Sequence, residues 1–150
     1  MKALQDILKN HPIIGLDTSV VIYHLEDHPR YGPLTEIIFN ALEKGSNKGV
    51  TSYLTLTEIL VKPKAEGLLE VARDYEYYLT TFPNLTFHEM GLDIARKASD
   101  LRAAERIKSP DAIQLATAIV HGATAFLSND KTFERVKGID ILILDKFLRS

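Results

Sequence analysis

The sequence contains no cysteine and no apolar stretch long enough to cross a membrane. The missing cysteines exclude disulfide bonds, thiolate catalysis and structural zinc sites with sulfur ligands. The first residues alternate between polar and apolar side chains, so we expect no signal peptide there. Because no membrane span is predicted either, we expect the protein to act in the cytoplasm.

Positive charge is not in excess either. The chain has 18 lysines and arginines against 20 aspartates and glutamates, which gives a net charge of −2. Proteins that hold nucleic acid by bulk electrostatic attraction are usually basic. Any nucleic-acid role must therefore depend on a local site rather than on the charge of the whole surface.

The length of 150 residues, with 45% hydrophobic and 25% charged side chains, is typical of one globular domain. Helical patterns alternate with short apolar runs that predict strands at 13–16, 49–53, 85–87, 123–127 and 139–144. This alternation is typical of an α/β fold with a central, mostly parallel sheet flanked by helices. We find no linker or repeat, and predict a single domain over residues 1–150.

Proline and serine predict two helix boundaries. Pro63 should end a short helix that begins at about Leu56, because proline removes a backbone donor. Ser109 is the predicted N-cap of a later helix, with Pro110 at its first position and an end near Gly122.

Four acidic residues follow predicted strands or begin predicted helices: Asp17, Glu58, Asp111 and Asp130. In a parallel α/β sheet, the carboxyl ends of strands and the amino ends of helices share one edge, where ligands bind. We therefore expect these four carboxylates to converge. Asp145 also follows a strand, and its position alone does not exclude it.

Carboxylates gathered in one cleft repel each other and raise each other's pKa unless a cation neutralises them. Oxygen ligands without cysteine or a histidine cluster favour a hard cation, Mg²⁺ or Mn²⁺. Such ions bind phosphate oxygens and activate water for attack at phosphorus. The predicted chemistry is therefore the hydrolysis of a phosphodiester or a phosphomonoester.

Each acid also has a purely structural explanation. Asp17 is a possible cap of the next helix, and Thr55 with Glu58 matches a capping box. Asp111 would complement a helix dipole, while Asp130 belongs to a turn sequence. The functional interpretation depends on the convergence of all four residues.

Four segments of the sequence resemble motifs of PIN-domain nucleases, most closely the VapC-type toxins of prokaryotic toxin–antitoxin pairs. They are LDTS at 16–19, TE at 57–58, DAIQLATA at 111–118 and FLSNDKTF at 126–133. The resemblance extends from about residue 13 to residue 144. It implies a Mg²⁺- or Mn²⁺-dependent endoribonuclease, often a homodimer, that a small antitoxin protein inhibits. Its RNA products would carry a 5′-phosphate and a 3′-hydroxyl.

The family's metal-site acids carry over to Asp17, Glu58, Asp111 and Asp130, each at its matching motif. Asp17 and Asp111 are the expected direct ligands, with Asp130 direct or linked through water. Glu58 is the residue expected to orient or deprotonate the attacking water. Some members have a further acid after the last motif, and this chain has Thr132 and Phe133 there, which leaves one or two metals open.

Several neighbours of the acids are candidates for substrate contact or for support of the ligands: Thr18, Ser19, Gln114, Ser128 and Asn129. Ser128 matches a small hydroxyl position of the family. Gln114 shares a helical stripe with Asp111, together with Thr117 and His121. For Thr18 and Ser19 we favour helix capping over a role at the metal.

Basic residues beside the acidic motifs are candidates for contacts with the RNA backbone: Lys62, Lys64, Arg102, Arg106, Lys108, Lys131 and Arg135. We interpret His24 and His28 as a surface pair rather than a zinc site, because Pro29 ends the helix there. Tyr75, Tyr77 and Tyr78 are candidates for stacking on bases, but Tyr75, Tyr78 and Phe82 fit the core or dimer side of one helix, and we favour packing.

Three alternatives remain. A phosphatase of the aspartyl-phosphate type needs a second aspartate where this chain has Ser19, and a receiver domain needs paired acids where Asp17 stands alone. A catalytically silent PIN-like module would bind RNA or protein only. Silent relatives usually lose an acid, and this chain keeps all four.

Overall fold

The computed structural model describes residues 1–148, so the last two residues of the predicted domain lie outside the described part. Five parallel strands form one sheet in the order β3-β2-β1-β4-β5. They are β1 (Ile13–Leu16), β2 (Lys48–Ser52), β3 (Leu85–His88), β4 (Ala125–Ser128) and β5 (Asp140–Ile143). The predicted α/β fold is confirmed, and every strand pair in it is parallel.

Seven α-helices within residues 1–148 cover the two faces of the sheet. They are α1 (Lys2–Leu8), α2 (Thr18–Leu25), α3 (Gly32–Glu43), α4 (Tyr53–Ala65), α5 (Leu69–Thr80), α6 (Leu92–Glu105) and α7 (Ser109–Val120). Two 3₁₀ turns, Lys131–Arg135 and Leu144–Phe147, follow β4 and β5. No helix in this part of the chain has both the length and the apolar character that a bilayer crossing demands.

Helix α1 was not predicted from the sequence, because its short apolar repeat is interrupted by polar residues. Leu4 and Leu8 lie one helical turn apart, and both are buried in the core. They pack with the apolar faces of α2 and α3 on one side of the sheet, while α6 and α7 build a second core on the other. The sheet is therefore packed between two apolar cores, one on each face.

The start and end of α4 differ from the prediction. Ser52 is the N-cap, since its hydroxyl accepts a hydrogen bond from the Leu54 amide at 3.0 Å. Thr55 is buried inside the helix, so the capping box interpretation was wrong. Pro63 lies inside the last turn because the missing donor removes only one bond there, and the chain turns at Gly67, where φ is +75°.

The first turn of α7 is shifted by one residue from the prediction. Lys108 is the N-cap, so Ser109 and Pro110 occupy the first two helical positions and Asp111 occupies the third. Proline remains compatible with this place because amides of the first turn have no partner inside the helix. Asp111 still lies at the amino end of α7, at the carboxyl edge of the sheet.

Close packing of α7 on the sheet depends on Gly15 in the middle strand. A Cβ atom at this position would lie 2.5 Å from the Ala118 Cβ and 2.8 Å from the Phe126 Cδ1. The face of β1 that packs against α7 and the Phe126 ring therefore has no room for a side chain at this position. This contact sets the distance between Asp111, at the start of α7, and the ends of the strands.

Gly15→Ser should lower the free energy of unfolding by at least about 2 kcal/mol, because an added side chain overpacks this contact. Gly91→Ser is the matched control: its Cβ meets no atom within 4 Å, and serine is a favoured residue at this N-cap position. Urea unfolding monitored by circular dichroism measures both variants. Equal stability of the two would contradict the packing argument.

Candidate active site

Asp17 is the first residue after β1 and the N-cap of α2. Its Oδ1 accepts a hydrogen bond from the Thr18 amide at 2.9 Å, and its Oδ2 accepts one from the Ser128 hydroxyl at 2.7 Å. The side chain is nearly buried, with 9% of its surface exposed. The capping interpretation of Asp17 is thus confirmed, and the same carboxylate faces the end of β4.

Burial raises the pKa of Asp17 to about 6, against hydrogen bonds from Ser128 and Thr18 that lower it. The negative charges of Asp111 and Glu58 raise this pKa further. A group with these neighbours lies in a region of strongly negative potential. Neighbouring acids therefore add to the cost of ionising Asp17.

Asp111 is half-buried at the start of α7. Burial raises its pKa, the charges of Asp130 and Glu58 raise it further, and Lys108 lowers it. Asp111 thus interacts electrostatically with the two acids named here and with Asp17. The structure brings the four predicted acids into one group, which we call the acidic cluster: Asp17, Glu58, Asp111 and Asp130.

Glu58 projects from α4 and is held by two side chains from other elements. Its Oε1 accepts hydrogen bonds from the Thr18 hydroxyl at 2.6 Å and from the Gln114 side-chain amide at 3.4 Å. Thr18 therefore orients Glu58 through its hydroxyl, and the cap of α2 is the side chain of Asp17.

A chain of buried hydrogen bonds spreads from Gln114. Its Nε2 lies 3.0 Å from the Thr18 hydroxyl and 2.8 Å from the Thr55 hydroxyl. Thr55 lies 2.8 Å from Thr51, whose hydroxyl donates to the Leu16 carbonyl at 2.9 Å. The Gln114 amide therefore helps to position Glu58 through Thr18. Through Thr55 and Thr51, it also connects to the backbone at the end of β1.

Thr51 and Thr55 are the residues of this network that we did not predict from the sequence. Thr55 had a competing interpretation as a cap, and Thr51 is an ordinary residue of a β-strand. The other two polar residues on the Gln114 stripe lie away from the acids: Thr117 donates to the Ile113 carbonyl, and His121 stacks on His88. Of the stripe beyond Asp111, only Gln114 reaches the site.

Ser128 joins the two acids at the ends of β1 and β4. Its hydroxyl donates to Asp17 and accepts a bond from the Asp130 amide at 3.0 Å. Asp130 is exposed, and its Oδ1 accepts bonds from the amide and the hydroxyl of Thr132 at 2.9 and 2.8 Å. The turn interpretation is confirmed, and the turn places Asp130 within electrostatic reach of Asp111.

Asn129 and Ser19 are placed differently from the acids. Asn129 accepts a bond from the Asp145 amide at 2.9 Å and donates to the Tyr23 hydroxyl at 3.3 Å, so it ties the end of β5 to α2. The Ser19 hydroxyl is buried and has no hydrogen-bond partner within the described residues, so the capping predicted for Ser19 is wrong; the cap of α2 is Asp17. Asn129 therefore supports the fold around the site.

Asp145 is separated from the acidic cluster by its own partners. Its carboxylate accepts a hydrogen bond from the Tyr31 hydroxyl at 2.8 Å and lies 3.6 Å from the Arg30 guanidinium. A carboxylate with a cation and a phenol beside it is already compensated. The structure thus distinguishes Asp145 from Asp130, although both follow a strand.

The remaining aromatic and histidine candidates belong to the packing of α2, α3 and α5. His24 stacks on Phe39 and contacts the Tyr78 hydroxyl at 3.0 Å, while His28 accepts bonds from two backbone amides. His24 thus packs against aromatic side chains, and His28 accepts hydrogen bonds from the backbone of the following turn. Tyr77 is largely exposed and makes no contact with the acidic cluster within the described chain.

The donor chemistry of the acidic cluster fits a hard divalent cation. All four side chains offer carboxylate oxygens, and the charges of Asp111 and Glu58 raise the pKa of Asp17. Within residues 1–148, no three acidic or histidine side chains already stand close enough to form a finished metal cage. A cation would relieve the repulsion between carboxylates that the fold holds near one another.

An apolar groove of about 290 Å³ opens beside Glu58, between α2, α4 and the start of α5. Ile22, Leu25, Pro63 and Leu68 are among its lining residues. Leu68 is 47% exposed although it is a large apolar residue. The site therefore has one apolar border next to its acids.

Comparison with known proteins gives one family and several structural neighbours. Residues 14–139 match the family model described as PIN domain. No curated protein matches the sequence significantly.

Among solved structures, the fold is similar to a chain in VapBC2 from Rickettsia felis bound to a DNA fragment from their promoter. The identity is 18%, the TM-score is 0.69, and the match covers 86% of this chain and 96% of that one. It is also similar to a chain in a toxin–antitoxin complex from Klebsiella pneumoniae, with 23% identity, a TM-score of 0.66 and coverage of 88% and 97%. At these identities the likeness establishes a shared fold.

Asp17→Asn should stabilise the metal-free protein above pH 6. The pKa of Asp17 is higher in the folded chain, about 6, than its ordinary value of 3.8, so ionisation opposes folding once the pH passes 3.8. This difference in the pKa of Asp17 corresponds to at most about 3 kcal/mol in the free energy of unfolding. Urea unfolding in EDTA should show this gain at pH 8 and its loss below pH 3.8.

Asp145→Asn is the matched control, because that carboxylate has Arg30 and Tyr31 as partners. It should give no gain at pH 8. A less stable Asp17→Asn protein at pH 8 would show that the hydrogen bonds of Asp17 outweigh its burial and the neighbouring charges.

Proposed function

Since this chain belongs to the PIN domain family, we propose that it is a divalent-metal-dependent endoribonuclease and the toxin of a toxin–antitoxin pair. The observation that carries the proposal is the acidic cluster, in which carboxylates from four separate segments interact at the carboxyl edge of the sheet. Mutual repulsion of this kind is typical of sites that bind Mg²⁺ or Mn²⁺ and then phosphate. The four intact acids favour catalysis over the silent binding module.

Asp17 and Asp111 would hold the ion directly, with Asp130 as a direct or water-linked ligand. A bound cation would neutralise charge on the phosphate and make a coordinated water more acidic. Asp17 is suited to this role because the Thr18 amide and the Ser128 hydroxyl stabilise its ionised form and fix its orientation.

Glu58 would take the proton of the attacking water. Thr18 and Gln114 both bond to its Oε1, which leaves Oε2 for that proton. The water oxygen forms a bond to phosphorus, the bond from phosphorus to the 3′-oxygen breaks, and that oxygen gains a proton. The products are a 5′-phosphate and a 3′-hydroxyl. Gln114 and Thr18 hold Glu58 in place without touching the reacting atoms.

The apolar groove supports a protein partner on the α5 side of the site. We propose that a small antitoxin occupies it, since the structural neighbours include a toxin–antitoxin complex. Glu58 is one of the residues that line the groove, so a segment bound there would contact the acidic cluster and hinder access to it. Blocking access of RNA to the acids is the simplest form of inhibition.

We also propose a cytoplasmic homodimer, as the family resemblance implies. The outward face of α4 supports an interface between two copies, because Tyr53 and Val61 are 44% and 60% exposed there. Such side chains gain free energy when a partner covers them. The oligomeric state in solution is directly measurable by sedimentation.

The purified protein should cleave a structured RNA in Mg²⁺ or Mn²⁺, and EDTA should abolish cleavage. Asp17→Asn and Asp111→Asn should each reduce the rate by at least about 100-fold, because each removes a charged ligand of the ion. Asp145→Asn should cleave like the wild type. Denaturing gels with end-labelled RNA measure the rates and identify the new ends.

Cleavage that persists in EDTA, or in both folded variants, would refute the assignment of these acids. If the wild type instead binds RNA without cutting it, the catalytically silent module is the correct function.

Leu68→Asp should prevent neutralisation by an antitoxin and leave toxicity intact. Leu68 is the exposed N-cap of α5, where aspartate is a favoured residue, so the fold should tolerate the change. Growth of cells that co-express this chain and the product of an adjacent small reading frame measures the effect. Leu92→Asp is the control, since Leu92 is 63% exposed and does not line the groove. Neutralisation of both variants would place the partner elsewhere.

A further inference from the structure

The basic residues near the acidic cluster fall into two groups that the sequence does not separate. On the α4 side, the Lys62 ammonium lies 3.5 Å from the Glu26 carboxylate. Lys64 points to another face of α4, where it lines a shallow cavity with Tyr53 and Val61 rather than with Glu58. The basic residues on this side are therefore either paired or turned away from the acids.

Five basic residues on the other side have no such partner. Each is exposed, and no carboxylate within residues 1–148 forms an ion pair with any of them. We call them the cationic strip: Arg102, Arg106, Lys108, Lys131 and Arg135. Unpaired cations on a protein whose net charge is −2 are a local concentration of positive charge.

Hydrogen bonds to the backbone gather this strip around the turn between α6 and α7. The Arg102 Nε donates to the Ile107 carbonyl at 3.1 Å, and the Arg135 Nη1 lies 3.4 Å from the Glu105 carbonyl. Arg106 ends α6 in the left-handed region, with φ of 55°. The two guanidinium groups are thus held by carbonyls and keep their full charge.

The strip borders the acidic cluster directly. Lys108 is the N-cap of α7, three residues before Asp111, and its charge lowers the pKa of that aspartate. Lys131 follows Asp130 at the start of the 3₁₀ turn that also contains Arg135. Cations therefore approach two of the four acids from the side of α6 and α7.

We propose that the cationic strip binds the phosphate backbone of the RNA substrate and guides it to the acidic cluster from the α6–α7 side. The inference rests on the proposed nuclease function and names the surface that holds its substrate. A polyanion would be repelled by the acids and attracted by the unpaired cations beside them. The opposite border, with its apolar groove and paired Lys62, offers no comparable attraction.

The test is the salt dependence of RNA binding without cleavage. The parent is the Asp17→Asn protein in EDTA, and the probe is a fluorescein-labelled single-stranded oligoribonucleotide followed by fluorescence anisotropy. In this parent, Arg106→Asn with Lys131→Gln removes two charges from the strip. Asparagine tolerates a positive φ, so the turn at residue 106 should keep its conformation.

Lys62→Gln with Lys64→Gln is the matched control, because it changes the net charge by the same amount on the other side. Each lost phosphate contact should reduce the slope of log K against log salt by about 0.7, or about 1.4 for the strip variant. The control should keep the slope and affinity of the parent. Urea unfolding of both double variants verifies that they fold.

An unchanged slope in the strip variant, an equal loss in the control, or no RNA binding by the parent would each overturn the proposal. The result is independent of catalysis. If the wild type fails to cleave RNA in Mg²⁺ or Mn²⁺, the proposed function is wrong. The binding result would still decide whether the cationic strip binds RNA. If it cleaves and the slope is unchanged, the strip alone is refuted.

Discussion

Repulsion between carboxylates gathered at one edge of the sheet is the constraint around which this molecule is organised. Parallel strands deliver Asp17 and Asp130 to neighbouring positions, since the Asp17 amide donates to the Leu127 carbonyl at 3.0 Å. Helices α4 and α7 begin at the same edge and bring Glu58 and Asp111. The topology therefore concentrates negative charge at this edge. The surrounding contacts reduce the free-energy cost of holding the carboxylates together.

Hydrogen bonds limit that cost where burial is deepest. Asp17 is the most buried acid of the cluster and receives one backbone and one hydroxyl donor. The Gln114 amide bonds to Thr18, which donates to Glu58, and to Thr55, whose neighbour Thr51 donates to the Leu16 carbonyl. A buried network in which every hydroxyl proton has an acceptor fixes geometry, because any rearrangement would leave a polar group unpaired. Asp17 is thus buried and held on both carboxylate oxygens, while Glu58 and Asp130 are exposed and each is held by hydrogen bonds to one carboxylate oxygen.

The two borders of the acidic cluster differ in chemistry, which suits two different partners. Beside Glu58 the groove is lined mostly by apolar side chains, and Lys62, which also lines it, is paired with Glu26. Beside Asp111 and Asp130 the surface carries unpaired cations. An exposed apolar groove favours the binding of a protein segment, while unpaired cations favour the binding of a polyanion. The proposed antitoxin and the proposed RNA substrate would therefore reach the same acids from different sides.

The sequence by itself determined the alternation of strands and helices, because the periodicity of apolar residues is a local signal. It also determined which acids follow strands or begin helices, and in a parallel sheet these positions share one edge. The tertiary structure decided which distant groups meet. Register and helix placement, which no local pattern encodes, pair Asp145 with Arg30 and Tyr31 and bring Thr55 between Gln114 and Thr51. They also leave the cationic strip near Asp111 without ion pairs. Helix α1 was missed for the same reason, since its short apolar repeat has meaning only against the core that buries it.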